Sequence, residues 1–90
     1  MTEQSRPRLS PHVRLRPDRP RGGSVLLAPE RGLVLNHTAE EILQLCDGHR
    51  TVDGIAEILA DRHGAHVRAA IQKESLAFLS KLYARGLIRV

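Results

Sequence analysis

The apolar residues of this chain change their spacing once, near Asn36, and that change restricts the fold class more than any other feature. Before Asn36 they alternate with polar residues or form short runs between Pro and Gly, as in β-strands. After it they recur every three or four residues, as in amphipathic helices. The sequence therefore predicts an α+β domain in which a small sheet precedes the helices.

Three short strands are expected before the change in spacing. They cover residues 12–18, 24–28 and 33–35. The last two are joined by Pro29-Glu30-Arg31-Gly32, where Pro restricts φ and Gly tolerates a positive φ, so this segment predicts a tight turn and a hairpin. With the first strand beside it, the hairpin forms an N-terminal three-stranded antiparallel sheet.

Three helices are expected after the sheet. Thr38 and Glu41 have the spacing of a capping box for the first helix, with Asn36 as a competing cap. Thr51 caps the second helix, and the third covers residues 66–85. Sheet and three-helix bundle together predict a winged helix-turn-helix-like fold. We expect residues 1–10 to be a flexible tail and residues 11–90 to be a single domain.

The charge and composition favour a binding module. The net charge is +4, and all of the excess lies in residues 1–23, which hold six arginines and two acidic residues. Aromatic residues are only 2% of the chain, which argues against base stacking on nucleic acid. No apolar run is long enough for a membrane span or a signal peptide, so we expect a cytoplasmic protein without a membrane partner.

No catalytic, metal or cofactor site is predicted. His63 and His66 lack further ligands that would complete a zinc site. Cys46 lies near a helix end, where the negative end of the dipole raises a thiol pKa and so disfavours a nucleophile. Glu41 is expected to be a solvated carboxylate on a helix face, without the paired burial that acid–base catalysis needs.

Two apolar features point to a peptide-binding groove. The third strand carries no charge on its free edge, and such an edge can accept an extended peptide as a further strand. The third helix has two apolar stripes at helical spacing. The stripe expected in the core contains Val67, Ile71, Phe78 and Leu82. The second stripe contains Leu76, Leu79 and Tyr83, and it either packs on the sheet or under the chain terminus, or forms a groove wall for a partner.

Several segments, in their order and spacing, resemble the PqqD family of pyrroloquinoline quinone biosynthesis. The resemblance covers about residues 7 to 90. The segments that carry it are Pro11-His12-Val13-Arg14-Leu15-Arg16-Pro17-Asp18, Val25-Leu26-Leu27-Ala28-Pro29-Glu30-Arg31-Gly32-Leu33-Val34-Leu35-Asn36, Ile42-Leu43-Gln44-Leu45-Cys46-Asp47-Gly48 and Thr51-Val52.

The resemblance implies a peptide chaperone rather than an enzyme. Such a protein binds the ribosomally made precursor peptide of pyrroloquinoline quinone and presents it to a radical S-adenosylmethionine enzyme, with no cofactor of its own. The implied peptide site consists of Leu33, Val34, Leu35 and Asn36, facing Leu76, Leu79 and Tyr83. The residues that could face the enzyme are Arg14, Arg16, Asp47 and Gly48.

Two other functions remain open at this point. A winged-helix DNA-binding protein is compatible with the basic residues of the third helix, although the second helix is acidic, and such binding would weaken steeply with salt. A homo-oligomerisation module would pair the open strand edge with a second copy. We expect a monomer or a weak homodimer that does not bind nucleic acid.

Overall fold

The computed structural model describes residues 1–29 and 31–90, so Glu30, within the expected turn, lies outside the described residues. The α+β class, the three-stranded antiparallel sheet and the three α-helices are confirmed. In chain order, the elements are β1 (Arg8–Leu9), β2 (Arg14–Pro17), β3 (Ser24–Ala28), β4 (Arg31–Leu35), α1 (His37–Gln44), α2 (Val52–His63), α3 (Arg68–Ala84) and β5 (Ile88–Arg89).

The three-stranded sheet has the order β2-β3-β4, with β3 in the centre. Leu15, Leu26 and Leu33 lie opposite one another across the three strands. Side chains alternate between the faces of a sheet, so these leucines share its inner face. Leu26 is almost completely buried, and this row attaches the sheet to the helices.

Side-chain caps define where the first two helices begin. Asn36, rather than Thr38, caps α1, because its Oδ1 accepts a hydrogen bond from the Ala39 N–H at 2.8 Å. Thr51 caps α2 as expected, its Oγ1 accepting from the Gly54 N–H at 3.0 Å. A 3₁₀ turn, Ala65–Val67, leads into α3, which is therefore slightly shorter than expected.

The first ten residues are packed on the domain, which differs from the expected flexible tail. β1 pairs antiparallel with β5, and Pro7 and Ser10 are buried. The carbonyls of Glu3 and Ser5 accept the N–H groups of the first two residues of α2, at 2.9 and 3.0 Å. Amides in the first turn of a helix have no partner within it, so this segment satisfies part of the α2 N-terminus.

The buried face of α3 lies between the two stripes expected from the sequence. Ile71, Ser75, Leu79 and Leu82 are its buried residues. At 100° per residue they fall within about 80° of one another, with Ser75 near the centre. Leu79 therefore belongs to the core, where its side chain is 0% exposed, whereas Phe78 is only partly buried.

Candidate functional site

The free edge of the sheet is β4. It pairs with β3 on one side, and among residues 1–29 and 31–90 no strand pairs with its other side. Leu35 is buried and Leu33 half-buried on the inner face, whereas Val34 points outward and is 57% exposed. The structure thus places the sequence-predicted Leu33, Val34 and Leu35 on the edge strand of the sheet, with Asn36 directly after it as the cap of α1.

The backbone groups on this free edge can be identified from the hydrogen-bond pattern. The Asp18 N–H donates to the Gly23 carbonyl at 3.0 Å, so Asp18 and Gly23 form a hydrogen-bonded pair of the β2–β3 ladder. Such pairs alternate along an antiparallel ladder, which directs the backbone groups of Leu26 toward Leu33 of β4. The N–H and C=O of Val34 then point away from the sheet and are available to a further strand.

The three residues expected on α3 do not come together beside β4. Leu79 is fully buried in the core and cannot form a groove wall. Leu76 lines a cavity together with Glu3, on the side of the N-terminal segment. Tyr83 is 45% exposed, and at 100° per residue it lies within about 20° of Leu76. The expected grouping is therefore corrected: Leu79 is in the core, Leu76 lines a cavity with the N-terminal segment, and Tyr83 is exposed.

A different side of α3 accompanies β4. Glu74, Phe78 and Arg85 fall within about 40° of one another on the helix, nearly opposite to Leu76. Two cavities connect them with β4 and its flanks, and we call these together the β4–α3 groove. The cavity of about 280 Å³ is lined by Leu26, Ala28, Arg31, Gly32, Leu33, Arg85 and Leu87. The cavity of about 180 Å³ is lined by Asn36, Thr38, Ala39, Ile42, Glu74 and Phe78.

Sequence reasoning missed the α3 residues of this groove. The hydropathy pattern places Phe78 in the core stripe and gives Glu74 and Arg85 no part in the peptide site. A usable signal was present in their spacing, since positions 74, 78 and 85 recur on one helix face. Spacing alone does not show whether that helix face points toward the core or toward β4, because this depends on how α3 packs.

The residues expected to face an enzyme fall into two groups with different environments. Arg14 and Arg16 are exposed on the outer face of β2, away from the β4 edge. Asp47 instead organises the loop before α2: its Oδ1 accepts from the N–H groups of His49 and Arg50 at 2.8 and 2.9 Å. Hydrogen bonds from these two amides are the main reason that the pKa of the Asp47 carboxyl is lowered.

The backbone conformation and the close surroundings of Gly48 favour glycine at this position. Its φ is +81°, and an added Cβ would lie 3.4 Å from the Arg8 side chain. The Gly48 N–H donates to the Pro7 carbonyl at 2.9 Å, which attaches the N-terminal segment to this loop. The loop and the segment before β1 therefore support each other.

Glu41 has an environment that differs from the solvated helix face expected for it. Its side chain is 10% exposed, and its carboxylate lies 2.9 Å from His63 Nε2, 3.4 Å from His37 Nε2 and 3.4 Å from Arg62 Nη1. Burial acts to raise the pKa of Glu41, but hydrogen bonds from His63 and Arg62 and the charges of the histidines outweigh it and lower the pKa. The cluster joins α1 to the end of α2.

The Cys46 thiol has an environment that disfavours its thiolate form. Burial, with a further contribution from the Asp47 charge, raises the pKa of the Cys46 thiol to about 12. Its Sγ–H donates to the Ile42 carbonyl at 3.2 Å, so the thiol is protonated and occupied at neutral pH. Among residues 1–29 and 31–90, no three His, Cys, Asp or Glu side chains are placed to hold a metal ion.

None of the helices in the described part of the chain has both the length and the apolar content to cross a bilayer.

The chain is similar to proteins of one family over most of its length. The family model described as "Coenzyme PQQ synthesis protein D (PqqD)" matches residues 23–88. A relative from Rhodopseudomonas palustris (strain HaA2), named "PqqA binding protein", is 46% identical over 88 residues. The match covers 98% of this chain and 85% of that protein.

Two solved structures of this family resemble the fold. The solution structure of the PqqD truncation of Methylobacterium extorquens PqqCD has a TM-score of 0.81 and 40% identity, covering 93% of this chain and 88% of that chain. It is described as a stand-alone recognition element for ribosomally synthesised and post-translationally modified peptides. The crystal structure of PqqD from Xanthomonas campestris has a TM-score of 0.63 and 33% identity, covering 100% and 99%.

Proposed function

The chain belongs to the PqqD family, and from this premise we propose that it binds PqqA, the peptide for which its relatives are named. The observation that carries the proposal is the unpaired edge of β4 beside the β4–α3 groove. An exposed edge with an adjoining apolar groove suits an extended peptide, since the edge supplies backbone hydrogen bonds and the groove selects side chains.

The peptide binds by strand addition along β4. The backbone N–H and C=O of Val34 form hydrogen bonds with the peptide backbone. Peptide side chains on the inner face lie against Leu33, which is half-buried, and Phe78. The fully buried Leu79 supports this surface from the core and does not contact the peptide.

The role is recognition without covalent chemistry. A protonated Cys46 and the paired carboxylate of Glu41 supply neither a nucleophile nor a free base. After binding, the chain presents the peptide to a radical S-adenosylmethionine enzyme, which cross-links it. Arg14 and Arg16 are suited to contact that enzyme, because they stay exposed on the far strand when a peptide occupies β4.

The proposed domain type is a winged helix-turn-helix-like fold adapted to peptides, and the chain acts as a monomer or a weak homodimer. A homodimer formed through β4 would cover the peptide edge, so self-association and peptide binding would compete. Sedimentation at the concentrations used for binding is therefore part of the test.

The test is a titration of the protein with a synthetic PqqA peptide, followed by backbone amide NMR. We expect shifts along residues 31–36 and on the side of α3 that contains Phe78. Val34→Pro removes one outward N–H, and a proline is tolerated on a strand edge where that N–H faces solvent. It should weaken binding about tenfold while the fold remains intact.

The matched control is Val34→Thr, which keeps both the β-branched shape and the N–H. It should bind the peptide like the unmodified protein. Equal affinity of a folded Val34→Pro variant would refute strand addition at β4. No binding of PqqA by a verified monomer would refute the proposed function itself.

A further inference from the structure

Two arginines stand at the end of the β4–α3 groove where β4 begins. Arg31 is the first residue of β4, and Arg85 is the C-cap residue that directly follows α3. Both line the cavity of about 280 Å³ that contains Leu26, Leu33 and Leu87. Both also line an adjoining cavity of about 420 Å³, which His12 borders. One end of the groove thus combines an apolar pocket with two guanidinium groups.

The charge of the groove changes along its length. Among the described residues, no carboxylate lines either of these two cavities. Of the described residues that line the groove, the acidic one is Glu74, which lines the cavity at the other end, beside Asn36 and Phe78. Within residues 1–29 and 31–90, no carboxylate oxygen lies within ion-pair distance of Arg85.

We propose that this end of the groove recognises an acidic side chain of the bound peptide, next to an apolar side chain that enters the pocket of Leu26, Leu33 and Leu87. The inference rests on the proposed function and adds which side chains of the peptide the groove recognises. A guanidinium binds a carboxylate through two parallel hydrogen bonds, and the partly enclosed cavity strengthens that contact relative to open water.

The geometry of an added strand also fixes the spacing of the two peptide residues. Arg31 and Leu33 lie two positions apart, on the same face of β4. A strand paired with β4 alternates in the same way, so the acidic and the apolar residue are two positions apart in the peptide. The recognised feature is therefore a carboxylate and an apolar side chain at positions i and i+2, in either order.

A double-mutant cycle tests the inference with the PqqA peptide as the probe. Each acidic residue of the peptide is replaced in turn by its amide, and each peptide is titrated against the unmodified protein, Arg85→Gln and Arg31→Gln. We expect one amide replacement to weaken binding about tenfold. Arg85→Gln should weaken binding of the unmodified peptide similarly, and the two changes together should cost little more than either alone.

Two additional variants separate recognition from a general effect of charge. Arg19→Gln removes an exposed arginine from the loop between β2 and β3 and should leave the affinity unchanged. Arg85→Glu should bind poorly to the unmodified peptide, and a lysine in place of the recognised acidic residue should restore part of the affinity. A purely structural role of Arg85 would not give such a rescue.

The outcomes distinguish this inference from the function on which it rests. If PqqA binds but every amide replacement is neutral, or if Arg85→Gln and Arg31→Gln both bind like the unmodified protein, acidic recognition is refuted and peptide binding stands. If PqqA does not bind to the unmodified protein at all, the proposed function and this inference both fail.

Discussion

Replacing Leu79 with alanine should destabilise the whole fold, although the sequence places this residue on an apolar stripe available to a partner. Leu79 is 0% exposed on the core face of α3. Fully buried Leu→Ala changes lose the transfer free energy of the side chain and leave a cavity, which together cost about 3–4 kcal/mol. A domain of this length has a free energy of unfolding of about 5–13 kcal/mol in total.

The assay is thermal and urea unfolding followed by far-UV circular dichroism, because the sequence contains no Trp for fluorescence. A loss of this size should lower the Tm by about 15 °C or more. The matched control is Leu76→Ala, since Leu76 is only partly buried at the margin of the core, where it lines a cavity with Glu3. That variant should lose about 1 kcal/mol or less.

The reverse order of the two variants would refute the placement of Leu79. If Leu79→Ala unfolds at the same midpoint as the unmodified protein while losing peptide affinity, the residue belongs to the binding surface. Where Leu79→Ala is kept folded by low temperature, we expect it to bind PqqA normally.

Three further predictions concern the parts of the fold that support the groove. Glu41→Gln should lower the Tm at neutral pH. The folded-state pKa of Glu41 lies below its ordinary value of 4.5, so the Tm difference between variant and unmodified protein should shrink as the pH falls from about 5 to 3. A Tm difference that stays constant over this range would contradict the pairing of Glu41. Deleting residues 2–9 should cost about 2–4 kcal/mol and accelerate amide exchange at Val52; an unchanged midpoint would show that the segment is a tail. In urea unfolding, Asn36→Ala should lower the free energy of unfolding by about 1 kcal/mol, and Thr38→Ala should lower it much less. The opposite order would show that Thr38, and not Asn36, caps α1.

The three-stranded sheet could be predicted because its residues obey local rules. Val13 and Leu15 alternate with arginines, and Pro29 directly follows the end of β3. The sequence pattern places the end of the turn too late, because Arg31 and Gly32 already belong to β4, where Gly32 lies opposite a residue of β3 and has no positive φ. β1 could not be predicted, because two residues are too few to show a period. Its pairing with β5 depends on a segment at the other end of the chain, which no local pattern indicates.

The faces of α3 were misassigned for a different physical reason. Helical spacing gives the angles between side chains, but the direction of the core depends on which neighbour packs against the helix. α3 packs mainly on α2, and the centre of the contact face is Ser75, a small polar residue that is fully buried. Hydropathy therefore placed the core to one side of Ser75 and a partner surface to the other, and Leu79 fell on the wrong side.

The pairing of β1 with β5 also has a kinetic consequence. Its partners, Arg8 and Arg89, are about 80 residues apart, so the contact closes a loop that contains almost the entire chain. Contacts of such long range form late, after local hairpins and helices are already present. During synthesis the three-stranded sheet and the first helices can form early. β1 can pair only after β5 has left the ribosome. A circular permutant that joins the two ends with a short linker should therefore refold faster than the parent chain.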